Sequence, residues 1–253
     1  MNLTGNTILI TGGGSGIGRG LAEEFHKLGN QIVIAGRRKH VLDETAAASQ
    51  GMKSLTLDIE NPAAIRAFAA QMAADFPALN VLINNAGIMR PENLLAQQAD
   101  LADAEALVAT NLLGPMRLTA ALLPHLQKQP STAIVNVSSG LAFVPLALTP
   151  TYCATKAAIH SYTQSLRYQL RGTQIEVIEL IPPYVATHLM NGAHDPRAMP
   201  LADYIAEVMK IFKTQPTPAE ICVENVKGLR FAAASGRYDA VFAGLNAARP
   251  DGH

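Results

Sequence analysis

Tyr152 and Lys156 stand four residues apart in Tyr152-Cys153-Ala154-Thr155-Lys156, so a helix would stack them on one face about one turn apart. A phenol with a pKa of about 10 is a poor base at neutral pH. An ammonium fixed beside it favours the phenolate and lowers that value toward the range useful for proton exchange. Ser138-Ser139 closes the apolar run Ala133–Val137, with Ser139 thirteen residues before Tyr152. A hydroxyl, a phenol and an ammonium could together bind a carbonyl oxygen and protonate it. A Tyr/Lys pair at this spacing is common by chance, so the reading depends on a scaffold that brings a second reactant to it.

Such a scaffold opens the chain. The run Thr7–Thr11 leads straight into Gly12-Gly13-Gly14-Ser15-Gly16-Ile17-Gly18, and the amphipathic stretch Leu21–Leu28 follows. Strand, glycine-rich turn and helix in this order let backbone approach a pyrophosphate, with the helix N-terminus offering N–H groups to it. The common G-x-G-x-x-G spacing does not fit, because it would need glycine at Ile17; T-G-x-x-x-G-x-G fits through Thr11, Gly12, Gly16 and Gly18. The second apolar run ends Ile34-Ala35-Gly36-Arg37-Arg38-Lys39. Gly36 occupies the slot where an NAD-preferring unit carries an acid for the ribose hydroxyls. The cations after it suit a 2′-phosphate, or else form a solvated basic start to the next helix.

The elements that must position these groups follow a regular rhythm. Strands are expected at Thr7–Thr11, Gln31–Ala35, Ser54–Leu57, Val81–Asn84, Ala133–Val137 and Glu176–Leu180, with a weaker one at Tyr238–Phe242. Helices are expected at Gly16–Leu28, Val41–Ser49, Pro62–Asp75, Ala104–Gln127, Thr151–Leu170 and Pro218–Ala234. The alternation predicts one α/β domain, a Rossmann-type doubly wound parallel sheet of about seven strands with helices on both faces. The proline-rich stretch at 183–216 follows the sixth strand at the edge where ligands bind, and is expected to be a substrate lid.

Twenty basic and twenty acidic residues cancel, so no global field draws the chain to nucleic acid or an anionic membrane. No uninterrupted apolar run reaches the roughly 18 residues of a membrane span. A strand already at Asn6–Thr11 leaves no room for a signal peptide, so a cytosolic protein is expected, with Cys153 and Cys222 as reduced thiols. The seven histidines show no metal-ligand spacing; no metal is expected, and His188 and His194 read as solvated lid residues.

The glycine spacing, Asn84-Asn85-Ala86-Gly87 after the fourth strand, and Tyr152 with Lys156 resemble the classical short-chain dehydrogenase/reductase family from Asn6 to Gly244. The resemblance implies an oxidoreductase that interconverts an alcohol and a carbonyl by hydride transfer. Its serine matches Ser139 by offset rather than the neighbour Ser138, and its helix asparagine, which helps hold a water chain to the lysine, matches Asn111. Catalysis would rest on Asn111, Ser139, Tyr152 and Lys156. The cofactor would meet Gly12, Gly14, Ser15, Gly16, Ile17 and Gly18 in the turn, and Asn85, Ala86 and Gly87 after the fourth strand. Asp58 would contact the adenine beside Ile59, unless it caps the following helix, and Pro182, Thr187, Tyr152 and Lys156 would meet the nicotinamide end. Arginine at position 37, supported by Arg38, implies NADP(H) in preference to NAD(H). Family members pair through their long fourth and fifth helices, which implies a homodimer or homotetramer. Ile181-Pro182-Pro183-Tyr184 departs from the family's Pro-Gly, and with Leu3-Thr4-Gly5-Asn6 is similar to a subgroup found beside lipoteichoic-acid D-alanylation genes, which implies no substrate. The contrasting reading is an NADP(H)-sensing regulator that keeps the fold without turnover; a sugar-nucleotide epimerase is disfavoured by the glycine spacing.

Overall fold

The computed structural model describes residues 1–95 and 100–247. Seven parallel strands form a single sheet in the order β3-β2-β1-β4-β5-β6-β7. They are β1 (Thr7–Thr11), β2 (Gln31–Gly36), β3 (Lys53–Thr56), β4 (Leu79–Asn84), β5 (Thr132–Val137), β6 (Ile175–Ile181) and β7 (Glu220–Cys222). The helices are α1 (Gly16–Lys27), α2 (Lys39–Ala47), α3 (Pro62–Asp75), α4 (Ala102–Val108), α5 (Gly114–Leu126), α6 (Pro150–Gln169), α7 (Leu201–Phe212), α8 (Glu224–Arg230) and α9 (Tyr238–Asn246). The expected α/β architecture is the one observed.

The strands are apolar along their whole length because both faces are covered. Ile8 and Ile10 of β1 point into one layer with α1 and α7, whereas Leu9 points into the other with α3 and α5. In the first layer Phe25 and Phe212 meet edge to face at 5.6 Å, a geometry worth about 0.5–1.5 kcal/mol beyond burial. The two sheet halves diverge between β1 and β4. The crossovers leave in opposite directions there and open a crevice beyond the strands' carboxyl ends.

A polar row crosses the apolar interior beneath that crevice. Asn84 and Asn136 are register partners on β4 and β5. The Asn84 amide donates to Asn136 Oδ1 at 2.9 Å and to Thr119 Oγ1 of α5 at 3.0 Å. Asn136 Nδ2 in turn donates to Thr163 Oγ1 of α6 at 3.0 Å.

Three local expectations are corrected. Tyr238–Phe242 is not a strand: its aromatics are helical neighbours in α9, stacked at 6.1 Å. The seventh strand is Glu220–Cys222, three residues that lie inside the helix expected at Pro218–Ala234 and leave only α8 of it. The 183–216 stretch is half regular, because Tyr204, Ile205, Val208, Met209 and Phe212 of α7 are buried in the sheet's first layer. The lid candidate narrows to 183–200, where Leu189–His194 makes a 3-10 turn and Val185 bridges Met199.

The helix expected at Ala104–Gln127 is interrupted by a π turn at Ala109–Leu113. The run Ala102–Leu126 is long and apolar enough to cross a membrane by length and composition. Here it is a core element, with Leu107, Leu118, Leu122 and Leu126 fully buried.

Candidate active site

A cleft of about 890 Å3 opens along the carboxyl edge of the sheet, from the glycine-rich turn to Tyr152 and Lys156. Its floor depends on missing side chains. Gly12 has φ +68°, and a Cβ there would lie 2.9 Å from Asn85 Nδ2 and 3.0 Å from Ala86 Cα. A Cβ at Gly18 would lie 2.4 Å from both Asn85 Nδ2 and the Gly12 carbonyl oxygen. Gly18 thus serves packing and does not line the cleft; Gly12, Gly14, Ser15, Gly16 and Ile17 do. Thr11 Oγ1 accepts from the N–H groups of Asn85 and Ala86, each at 3.1 Å, and Asn85 Nδ2 donates to the Thr11 carbonyl at 2.9 Å. The two motifs therefore form one interlocked surface, with Asn85, Ala86 and Gly87 on the cleft wall. Ser15 places no side-chain cap on α1, so the helix's first N–H groups remain available to an anion. A pyrophosphate fits this cradle.

The outer edge is basic. Arg37 and Arg38 both line the cleft. Arg37 Nη1 donates to Glu60 Oε1 at 2.8 Å, and the Thr110 hydroxyl donates to the same oxygen at 2.7 Å. Arg38 Nη2 reaches Ser15 Oγ at 3.2 Å, so Arg38 rather than Arg37 touches the glycine turn. Asp58 sits between two wall residues. The wall here is Leu57 and Ile59, while the exposed Asp58 accepts from Glu60 N at 3.1 Å. It does not cap α3, since Asn61 accepts from Ala63 N and Ala64 N.

At the other end, α6 presents Tyr152 and Lys156, both buried. The Tyr152 phenol and the Ser139 hydroxyl line the same end of the cleft, and Ser139 Oγ accepts from Leu141 N as it caps the turn after β5. Lys156 Nζ donates to the Val137 carbonyl at 2.9 Å and lies 5.6 Å from the Tyr152 ring centre. The expected lowering of the phenol by its ammonium is overturned. Burial pushes Tyr152 up to about 12, with the Ser139 hydroxyl only partly opposing it. Burial likewise pushes the Lys156 ammonium down to about 8. Tyr152 therefore keeps its proton at neutral pH.

Asn111 lies in the π turn, a feature frequent at functional sites. Its Oδ1 accepts from Ile88 N at 2.8 Å, and its Nδ2 donates to Ile88 O at 2.8 Å and Thr155 Oγ1 at 3.3 Å. It clamps the loop after β4 to α6 without lining the cleft. Pro182, Pro183, Thr187 and His188 do line it. Cys153 is buried and turned toward Leu146 and Thr149. The side chain of His194 and residues 248–253 lie outside the described residues.

Sequence reasoning missed a charged cluster behind the serines. Ser138 Oγ donates to Glu179 Oε1 at 2.5 Å, and Glu179 Oε2 meets His160 Nδ1 at 2.8 Å. Glu220 lies beside them, its two oxygens held by Arg230 at 2.7 and 2.9 Å. These three residues bring possible metal ligands within 4.8 Å of one another, and each carboxylate oxygen already meets Ser138, His160 or Arg230. The visible signal was a carboxylate in the middle of the apolar strand Ile175–Ile181.

The model of the short chain dehydrogenase family matches residues 6–198. The chain is 39% identical to an uncharacterised oxidoreductase, DltE, of Bacillus subtilis over 97% of this chain and 98% of that protein. A short-chain dehydrogenase from Sphingobium yanoikuyae in complex with NADPH superposes with a TM-score of 0.78 at 27% identity, over 98% of this chain and 99% of that one. A 3-ketoacyl-(acyl-carrier-protein) reductase from Brucella melitensis complexed with NADH gives 0.76 at 28% identity, over 85% and 93%. With the strand order, the interlocked glycine turn and the Ser139–Tyr152–Lys156 set, these matches place the chain in the classical short-chain dehydrogenase/reductase family of oxidoreductases.

Proposed function

We propose that the chain is an NADP(H)-dependent oxidoreductase that interconverts an alcohol and a carbonyl, with Tyr152 as the acid or base. The observation that carries this reading is that Ser139, Tyr152 and Lys156 line the inner end of the cleft whose outer end is the glycine cradle. When bound there, the dinucleotide supplies the hydride. The chain supplies the rest. Ser139 and Tyr152 bind the carbonyl oxygen, and the high phenol pKa keeps a proton on Tyr152 for delivery in reduction. Lys156 holds the nicotinamide ribose, while Asn111 fixes α6 against the loop after β4. A sterically clear, uncapped helix start suits the pyrophosphate.

NADP(H) is favoured over NAD(H) because Arg37 and Arg38 line the cleft after β2, where their guanidinium groups suit a 2′-phosphate, and Gly36 offers no acid to repel it. The substrate is an apolar carbonyl of medium size, since Met89, Leu141, Leu146, Leu148, Leu229 and Leu245 form the remaining wall. Segment 183–200 acts as the lid, with Tyr184, Leu189 and Met190 facing the cleft. The protein works in the cytosol as a homodimer or homotetramer formed through α5 and α6; a monomeric mass by light scattering at micromolar concentration would refute that assembly.

Dissociation constants for NADPH and NADH, with NADPH oxidation measured across aldehydes, ketones, β-ketoacyl thioesters and sugars, test the proposal. Tighter NADPH binding with turnover on apolar carbonyls is expected. Binding without turnover on any of them points instead to a sensor.

A further inference from the structure

Glu179 is fully buried in the interior strand β6. A carboxylate in such a place is tolerated only when its oxygens are held and its charge answered. Ser138 and His160 hold the oxygens, at 2.5 and 2.8 Å. His160 follows Lys156 by four residues as Lys156 follows Tyr152, so α6 presents the three in one line. The Lys156 ammonium donates to the carbonyl of Val137, the residue directly before Ser138. The lysine and the serine that grips Glu179 are thus fastened to adjacent positions at the end of β5. Among the described residues no carboxylate is within ion-pair distance of Lys156. Its charge depends on longer-range partners.

We propose that Glu179 is a positioning residue: a buried carboxylate, locked by Ser138 and His160, that holds Lys156 in its charged form. The surroundings leave Glu179 as the negative charge that matters. Arg230 covers Glu220 with two hydrogen bonds. Burial pushes the Cys222 thiol up to about 11 and Tyr152 up to about 12, so both are neutral. Arg167 spends its guanidinium on the carbonyls of Val177 and Ala219. His160 is the group in direct contact with the carboxylate, through Nδ1 at 2.8 Å. Burial outweighs every other influence and leaves Lys156 at about 8, with Glu179 as the group that opposes the fall.

The inference rests on Lys156 binding the cofactor. That reading requires NADPH affinity to weaken at alkaline pH as the ammonium loses its proton, and requires Lys156→Met to abolish this alkaline limb. The test follows NADPH fluorescence on binding to the full-length protein across pH, with thermal melting measured in parallel. In Glu179→Gln, which keeps a side chain of the same shape, the limb moves to lower pH than in the parent. At acid pH, where Lys156 is charged in both proteins, the dissociation constants coincide. Glu179→Asp, which keeps the charge, restores the limb toward its original position. A purely structural role would lower the melting temperature and leave the limb in place, which overturns the proposal. Should Glu179→Gln fail to fold, Ser138→Ala with Glu179→Val removes the carboxylate together with its cleft-side donor, and the same limb is read. If the unmodified protein has no Lys156-dependent limb, the cofactor reading fails; if it has one that does not move, only the role of Glu179 fails.

Discussion

The β1–β4 half of the cleft and the β5–β7 half are built on opposite principles. The first recognises by omission. Gly12 and Gly18 leave no room for a Cβ, Thr11 and Asn85 tie backbone to backbone, and α1 starts uncapped. The second works by burying polar side chains: Ser138, Ser139, Tyr152, Lys156 and Glu179 are all under 8% exposed. A surface made of backbone can hold a ligand shared by many reactions, because it commits no side chain to one chemistry. Buried titratable groups carry out a single chemistry, and their pKa values are set by the very desolvation that makes them costly.

Substitutions on the two sides should therefore fail differently, and the largest effect belongs to the second half. Tyr152→Phe is expected to lower kcat by about 100- to 10,000-fold, the usual contribution of a positioned acid, with the NADPH dissociation constant unchanged. Wild-type turnover, or a parallel loss of binding, would break the division.

Gly18→Ala should do the reverse. The added methyl meets the Gly12 carbonyl oxygen at 2.4 Å, and overpacking of this kind costs about 1–3 kcal/mol. Melting temperature and NADPH affinity should fall together, while any turnover that remains at saturating cofactor keeps the pH dependence of the parent. A stable Gly18→Ala protein that binds normally would show that the two motifs are less interlocked than they look.

The smallest effect lies at the basic edge. A charge-assisted contact to a 2′-phosphate is worth about 1.5–3 kcal/mol, but Arg37 is half exposed and already engaged with Glu60. Solvent screening then reduces its share to about tenfold or less in NADPH affinity. Arg38→Ala should cost more than Arg37→Ala, because Arg38 reaches the turn itself, and neither should alter NADH binding. Dissociation constants for both cofactors decide the order; an unchanged NADPH constant in both variants would return the pair to a solvated helix start.

What was legible in the sequence was local. The Tyr152–Lys156 face follows from helical period, and the glycine turn from strand, small residues and helix in succession. Contacts between distant segments were hidden. Glu179 meets Ser138 and His160 only because β5 pairs with β6 and α6 packs over both. Arg37 meets Glu60 only because β2 pairs with β3. α7 was obscured by the flanking Pro200 and Pro216, although its buried positions keep helical spacing. β7 spans three residues, too few for any period to show.

The polar row from Thr119 through Asn84 and Asn136 to Thr163 acts as a ruler for the whole cleft. Parallel strands rich in Val, Ile and Leu can slide past one another with little change in apolar burial. A slip of one residue turns every side chain to the other face, but a slip of two preserves the pattern. Here a two-residue slip would separate the asparagines by about 6.6 Å. Each amide or hydroxyl left without a partner would then cost about 1–3 kcal/mol. That penalty widens the gap between the native sheet and its nearest misaligned copy. The distance from the glycine turn on β1 to the serines on β5 is thereby set by hydrogen bonds that never touch a ligand.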